Sequence, residues 1–153
     1  MRVRRRSIAL AGVGALLSLA AAGGAAQAAS SSLTVTTLGR HGAKVATTRF
    51  LPTGLNSRNQ AAANSTTTVD VSAGRGSQGP GLRFTKVTAR AVKVWSSADG
   101  GKTWKAATVR RSGSSWQATV HNPASGAVAL RSEVTDAAGD RSTQTVYRAY
   151  AIG

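Results

Sequence analysis

Few side chains in this chain can perform acid–base, nucleophilic or metal chemistry. The sequence contains no cysteine, which excludes thiol catalysis, thiolate zinc sites and iron–sulfur clusters. A catalytic triad needs a nucleophile, a base and an orienting group together, and the chain has no G-T-S-x-A serine motif and no D-[ST]-G aspartate motif. The sequence therefore predicts that the protein is not an enzyme and that it uses no cofactor or metal ion. The histidines and acidic residues are His41, His121, Asp70, Asp99, Glu133, Asp136 and Asp140.

One stretch has the spacing of a rigid hairpin. Residues 97–104 read S-A-D-G-G-K-T-W and follow the Asp-box pattern S-x-D-x-G-x-T-W, which is known from sialidase propellers. In this pattern the aspartate accepts hydrogen bonds from turn amides, the glycine permits positive φ and the tryptophan packs beneath the hairpin. One copy cannot build a propeller, which needs several four-stranded blades. We therefore expect a structural turn made by Ser97, Asp99, Gly101, Thr103 and Trp104.

A second turn is predicted where residues 136–140 read D-A-A-G-D. Asp136 and Asp140 flank Gly139, and carboxylates at such positions cap turns by accepting hydrogen bonds from nearby amides. Two carboxylates on one turn can also bind calcium weakly. The capping role is the favoured interpretation.

A small set of residues is a candidate interaction surface. Exposed aromatic rings on a sheet face can stack on sugars, and strand alternation places Trp95 and Lys93 on the face opposite to Val92 and Val94. Arg110 and Arg111 form the one adjacent basic pair after residue 28. The candidate surface is therefore Lys93, Trp95, Arg110 and Arg111.

Residues 1–28 have the pattern of a cleavable signal peptide. Four arginines within residues 2–6 precede an apolar run at residues 8–22, and Ala26-Gln27-Ala28 supplies the small residues of an A-x-A cleavage site. The apolar run is short and contains glycines, which argues against a membrane anchor. We expect cleavage after Ala28, a secreted or wall-associated protein, and no membrane span in the mature chain.

The mature chain is strongly basic. Loss of residues 1–28 removes four of the 20 basic residues and none of the 5 acidic ones, so the net charge falls from +15 to +11. Such a charge favours anionic cell-wall polymers as partners. The basic residues are scattered, however, which indicates general solubility and no specific nucleic-acid site.

The distribution of apolar residues predicts an all-β domain. Short alternating segments recur about every ten residues with turn residues between them, and no sustained helical period occurs. About seven strands over residues 45–153 fit a monomeric immunoglobulin-like or fibronectin type III-like sandwich. Residues 29–44 are predicted as a flexible segment or an edge strand at Leu33–Leu38. The predicted core is Val69, Val71, Val92, Val94, Trp104, Trp116, Val128, Leu130, Val134, Val146 and Tyr150.

The second half of the chain resembles the C-terminal β-domain of secreted, actinobacterial-type subtilisin-like serine proteases. The matching stretches are V-W-S at 94–96, D-G-G-K-T-W at 99–104, W-Q-A-T-V at 116–120, T-D-A-A-G-D at 135–140 and Q-T-V-Y-R-A-Y-A at 144–151. In such proteases this domain is non-catalytic and follows the peptidase domain. Residues 41–46 are also similar to the segment around the catalytic histidine of these proteases, but Ala43 replaces its threonine and the chain is too short for the catalytic fold, so His41 is predicted as a turn residue.

Three functions are compatible with these patterns. The resemblance implies a secreted accessory module that binds a peptidase or another secreted protein. The charge of the mature chain favours instead a cationic protein that binds an anionic polymer of the cell envelope. The third possibility is a remnant of a larger secreted serine protease.

Overall fold

The computed structural model of the protein describes residues 33–38, 46–76 and 84–153. The predicted signal peptide and His41 lie outside these residues. The described residues form strands and turns without a helix, and they therefore include no apolar helix of membrane-spanning length. The strands are β1 (Leu33–Leu38), β2 (Thr47–Pro52), β3 (Gln60–Ala61), β4 (Thr66–Gly76), β5 (Phe84–Lys86), β6 (Ala89–Ser97), β7 (Lys105–Ala106), β8 (Thr108–Ser112), β9 (Ser115–His121), β10 (Gly126–Asp136) and β11 (Arg141–Ile152).

The strands form two sheets. Sheet A has the order β1-β11-β10-β6-β7, with β3 pairing in parallel with the end of β11. Sheet B has the order β2-β4-β9-β8, with β5 pairing with the end of β4. All other pairings are antiparallel. The strand β1 lies at the edge of sheet A, so the sheet already begins before residue 45.

A single apolar core joins the inner faces of the two sheets. Alternation buries Val92 and Val94 on β6 and Val69 and Val71 on β4. Two sheets that share one core have the arrangement of a β-sandwich. The all-β prediction is confirmed. The predicted core residues found in this cluster are Val69, Val71, Val92, Val94, Val128, Leu130, Val134 and Tyr150.

Three predicted core positions differ in the structure. Trp116 is half-buried and packs against the rim of the core, while Trp104 and Val146 are half-buried and are not among the cluster's residues. Trp104 follows the Asp-box hairpin, which carries it onto the outer face of sheet A. Val146 lies beside an irregularity, because the pairing of β10 with β11 shifts register between Val128 and Leu130.

The segment that follows the Asp-box hairpin does not form one return strand. It forms two strands, because β7 pairs with β6 in sheet A and β8 pairs with β9 in sheet B. Between them the amide of Ala107 still donates to the carbonyl of Val94 at 2.9 Å. From Thr47 onward the described residues contain seven strands of at least five residues, together with the shorter β3, β5 and β7.

Buried polar side chains also connect the sheets. The side-chain amide of Gln144 on β11 pairs with the backbone of Thr48 on β2: Nε2 donates to the Thr48 carbonyl at 2.7 Å and Oε1 accepts from its amide at 2.7 Å. The Ser132 hydroxyl on β10 donates to the Thr48 hydroxyl at 2.8 Å. Side chains of sheet A thus satisfy the backbone amide, the carbonyl and the hydroxyl of Thr48 at the edge of sheet B.

Candidate functional site

The Asp-box hairpin connects β6 to β7 and is organised by one carboxylate. Asp99 accepts from the backbone amide of Thr103, at 2.9 Å to Oδ1 and 3.0 Å to Oδ2, and its Oδ2 also accepts from the Thr103 hydroxyl. Ser97 Oγ donates to Asp99 Oδ1 at 2.7 Å and accepts from the Gly101 amide at 2.8 Å. These bonds, led by the one from the Thr103 hydroxyl, hold the pKa of the Asp99 carboxyl well below its ordinary value.

The end of the hairpin is held by close packing around Gly101. Gly101 has φ +92°, and a Cβ at this position would lie 2.7 Å from Cε1 of Tyr147 and 3.3 Å from Cζ2 of Trp104. The Trp104 indole donates from Nε1 to the Gly101 carbonyl at 3.0 Å. Glycine is therefore required here both for its backbone conformation and for space, and it allows Trp104 and Tyr147 to approach the turn.

The hairpin places Trp104 over the outer face of sheet A. There the guanidinium carbon of Arg131 lies 4.0 Å from the centroid of the Trp104 ring, within cation–π range. Arg131 Nε donates to the Thr145 hydroxyl at 3.2 Å, which fixes the arginine from the other side. Trp95 is the cross-strand partner of Arg131.

These residues line an open groove of about 280 Å³. We call it the aromatic groove and define it by its lining residues, which are Trp95, Trp104, Arg131, Glu133 and Thr143. At its border Lys93 Nζ lies 3.6 Å from Glu133 Oε1. Lys93 and Trp95 therefore belong to this surface, as their outward alternation indicated.

The other half of the predicted surface lies elsewhere. Arg110 and Arg111 are exposed on β8 in sheet B, and the guanidinium carbon of Arg111 lies 5.7 Å from the centroid of the Trp116 ring. The structure does not bring these two arginines to Lys93 and Trp95, because β7 and β8 belong to different sheets.

Three residues of the aromatic groove were not predicted from the sequence: Arg131, Glu133 and Thr143. The outward alternation of Arg131 and Glu133 opposite Leu130 and Val134 was the available signal, but their strand partners were not predictable.

The turn between β10 and β11 is capped by Asp136. Its Oδ1 accepts from the amides of Ala138 at 2.8 Å and Asp140 at 3.0 Å, and its Oδ2 lies 3.6 Å from Nη2 of Arg75. Gly139 has φ +86°, as the turn requires. Both oxygens of Asp136 thus contact protein groups, which fits the capping role. Across the described ranges no three histidine, aspartate or glutamate side chains are grouped as a metal site would need.

A second cavity opens at the seam where β7 leaves sheet A. It has a volume of about 400 Å³ and is lined by residues that include Asp99, Lys105, His121 and Val128. His121 Nδ1 lies 3.4 Å from the Thr66 hydroxyl, and the Asp99 carboxylate is occupied by Thr103. The His121 ring and the Asp99 carboxylate at this seam cavity therefore already contact protein groups.

Asn122, which also lines this cavity, makes several buried hydrogen bonds. Asn122 Nδ2 donates to the hydroxyls of Ser65 and Thr67, each at 2.9 Å, and its Oδ1 accepts from the Tyr150 hydroxyl at 2.9 Å. Burial raises the pKa of Tyr150 to about 12, so this phenol stays protonated. The network ties the end of β9 to β4 and β11.

No protein family, curated protein or solved structure matches this chain.

Proposed function

We propose that the protein is a secreted, non-catalytic binding module that acts through the aromatic groove. The observation that carries this proposal is that Trp104 and Arg131 are fixed in place, by the Gly101 carbonyl and the Thr145 hydroxyl, on a solvent-facing sheet surface. Aromatic and arginine side chains that are already fixed before a ligand binds are typical of binding surfaces.

The use of the carboxylates supports a role in binding over one in catalysis. Asp99 and Asp136 bind backbone amides of their own turns. Asp70 accepts from Gln117 Nε2 at 3.0 Å, and Glu133 pairs with Lys93. A general acid or base needs a carboxyl group available to a substrate proton, and the carboxylates of Asp99 and Asp136 are held by their own turns.

The proposed fold type is an immunoglobulin-like or fibronectin type III-like sandwich, related to the C-terminal domains of subtilisin-like proteases. The seven longer strands from β2 to β11 and the two-sheet core support this assignment. The resembling stretches lie between β6 and β11, and they include the hairpin and both tryptophans of the aromatic groove. The partner that this kinship implies is a secreted protein, such as a peptidase.

The test is a pull-down with the secreted protein immobilised on beads. Culture supernatant and cell-wall extract of the source organism would be applied at low salt and at about 0.5 M salt, where attraction between exposed charges is screened. We expect a partner that remains bound at high salt and is lost with Trp95→Ala. Arg110→Ala, on sheet B, is the matched control. A partner retained equally by both variants would contradict the assignment of the groove.

A second candidate function is binding of an anionic envelope polymer. It is favoured by the charge of the mature chain and by the exposure of Arg110 and Arg111 on β8. This function predicts binding that weakens steeply with salt and that is reduced by the double change Arg110→Ala and Arg111→Ala. The two functions are thus separated by the salt series and by the face on which a substitution acts.

A further inference from the structure

We propose that the ligand of the aromatic groove is a neutral sugar ring of an extracellular polysaccharide. This inference rests on the proposed function, in which the outer face of sheet A binds a partner. It goes further by naming the ligand as a neutral carbohydrate, and not a protein or an anionic polymer.

The apolar part of the groove suits the C–H face of a pyranose. Trp95 lines it from β6 and Trp104 from the hairpin that follows, and both indoles are half-buried, so part of each ring is open to solvent. Because the Arg131 guanidinium lies over the Trp104 ring, Trp95 is the ring that we expect to stack on the sugar. Stacking on such rings removes apolar C–H surface from water without requiring the sugar to lose its hydroxyl contacts. The volume of about 280 Å³ lies just below the range for drug-sized ligands, which matches a unit of one or two rings.

The polar part of the groove offers both kinds of hydrogen-bonding group. Arg131 is a donor only, Glu133 is an acceptor when ionised, and the Thr143 hydroxyl is both. Arg131 and Glu133 lie two residues apart on β10 and therefore share the outer face. Sugar hydroxyls can both donate and accept hydrogen bonds. Two neighbouring hydroxyls could therefore bond to Arg131 and Glu133 together.

The charge of the groove selects against the other ligand classes. Arg131 and Glu133 line the groove with opposite charges, and Lys93 at its border pairs with Glu133. An anionic ligand would approach the Glu133 carboxylate, and a purely apolar ligand would leave both charged groups desolvated without partners. A neutral polyhydroxylated ring avoids both penalties.

The groove is also organised before any ligand binds. Trp104 is held by its bond to the Gly101 carbonyl, and Arg131 is held by Thr145 and by the Trp104 ring. A ligand therefore does not have to order these side chains, which removes part of the entropic cost of association.

The experiment measures retention of the secreted protein on insoluble cellulose, chitin and β-1,3-glucan, with polygalacturonate as the anionic probe. At about 0.5 M salt we expect at least one neutral polysaccharide to retain the protein. Trp95→Ala should weaken that binding about tenfold or more, as loss of one stacked ring does in other systems. Glu133→Gln, which keeps the shape of the side chain, should weaken it as well, and Arg110→Ala on sheet B should not.

Unchanged thermal unfolding of the variants would show that lost binding is not lost folding. The sugar proposal would be overturned if none of the neutral polysaccharides retained the protein, or if Trp95→Ala bound as well as the parent protein. If a protein is then captured at high salt through Trp95, the binding-module function stands and only the ligand class is wrong. Binding confined to polygalacturonate and removed by salt would also overturn the proposal, in favour of the polyanion function.

Discussion

Asp99 organises its hairpin by accepting hydrogen bonds that a neutral side chain cannot fully replace. The bonds lower its pKa from the ordinary value of 3.8, so the ionised form stabilises the fold. Because the pKa is depressed, this stabilisation is present above pH 3.8 and is lost as the pH falls toward the folded-state value.

We therefore expect Asp99→Asn to lower the melting temperature at neutral pH. The difference from the parent protein should shrink as the pH falls below about 4, because Asp99 then becomes protonated in the unfolded chain while the folded protein still holds it ionised, and this proton uptake favours unfolding. Thermal unfolding followed by circular dichroism across pH 2.5–7 would measure it, with buffers chosen at about equal ionic strength. A difference that stays constant with pH would show that the carboxylate charge is not what the hairpin uses.

Gly101 is predicted to be much less tolerant of substitution than its neighbour. Gly100→Ala should cost about 1 kcal/mol of unfolding free energy, because Gly100 has φ +73° but nothing within 4 Å of its Cβ position. Gly101→Ala should cost a further ~1–3 kcal/mol, because its Cβ would meet the Tyr147 ring. Urea unfolding of both variants measures the comparison, and equal losses would mean that Tyr147 moves aside without penalty.

At the scale of elements, the edge strand β2 depends on a side chain of the opposite sheet. Gln144 is buried and satisfies both the amide and the carbonyl of Thr48. An apolar side chain of similar size would leave these two backbone groups buried without partners, which is far more costly than the loss of a solvent-exposed bond.

We therefore expect Gln144→Leu to lower the free energy of unfolding by about 2–5 kcal/mol. Gln117→Leu is the matched control, because Gln117 is exposed on the outer face of sheet B, and it should change stability by less than about 1 kcal/mol. Chemical denaturation gives both values. Similar losses for the two glutamines would show that β2 finds other partners when Gln144 is removed.

The crossing of the chain from sheet A to sheet B also determines the surface of the protein. The strand β7 stays beside β6 for two residues, and β8 then joins β9 in the other sheet. As a consequence the hairpin and its tryptophan remain with sheet A, while the two arginines of β8 lie with sheet B.

At the scale of the whole molecule, the first prediction concerns export. If residues 1–28 act as a signal peptide, protein recovered from the medium should begin at Ala29 and carry a net charge of +11. Intact-mass measurement of the secreted protein tests this directly. A full-length chain retained in the cells would contradict the secretory assignment.

The second prediction separates a functional module from a remnant of a protease gene. One core that spans both sheets should unfold in a single cooperative transition, with coincident curves from tryptophan fluorescence and circular dichroism. A broad transition whose two probes disagree would favour the remnant and would leave the binding functions without support.

The sequence by itself determined the features that local chemistry controls. Side chains alternate along any strand with a period of two, so the burial of Val92 and Val94 and the outward position of Trp95 were predictable. The Asp-box turn was predictable because its hydrogen bonds are local and connect residues no more than four positions apart. The all-β class followed from the same alternation and from the regular spacing of turn residues.

Only the tertiary structure decided which strands meet. The stacking of Trp104 on Arg131 joins residues 27 positions apart, and the link from Gln144 to Thr48 spans 96 positions. Such contacts depend on sheet order and on register shifts, such as the one beside Leu130, which alternation along a single strand does not encode. The aromatic groove is therefore a product of packing, because its parts come from three strands and a hairpin that no local pattern places together.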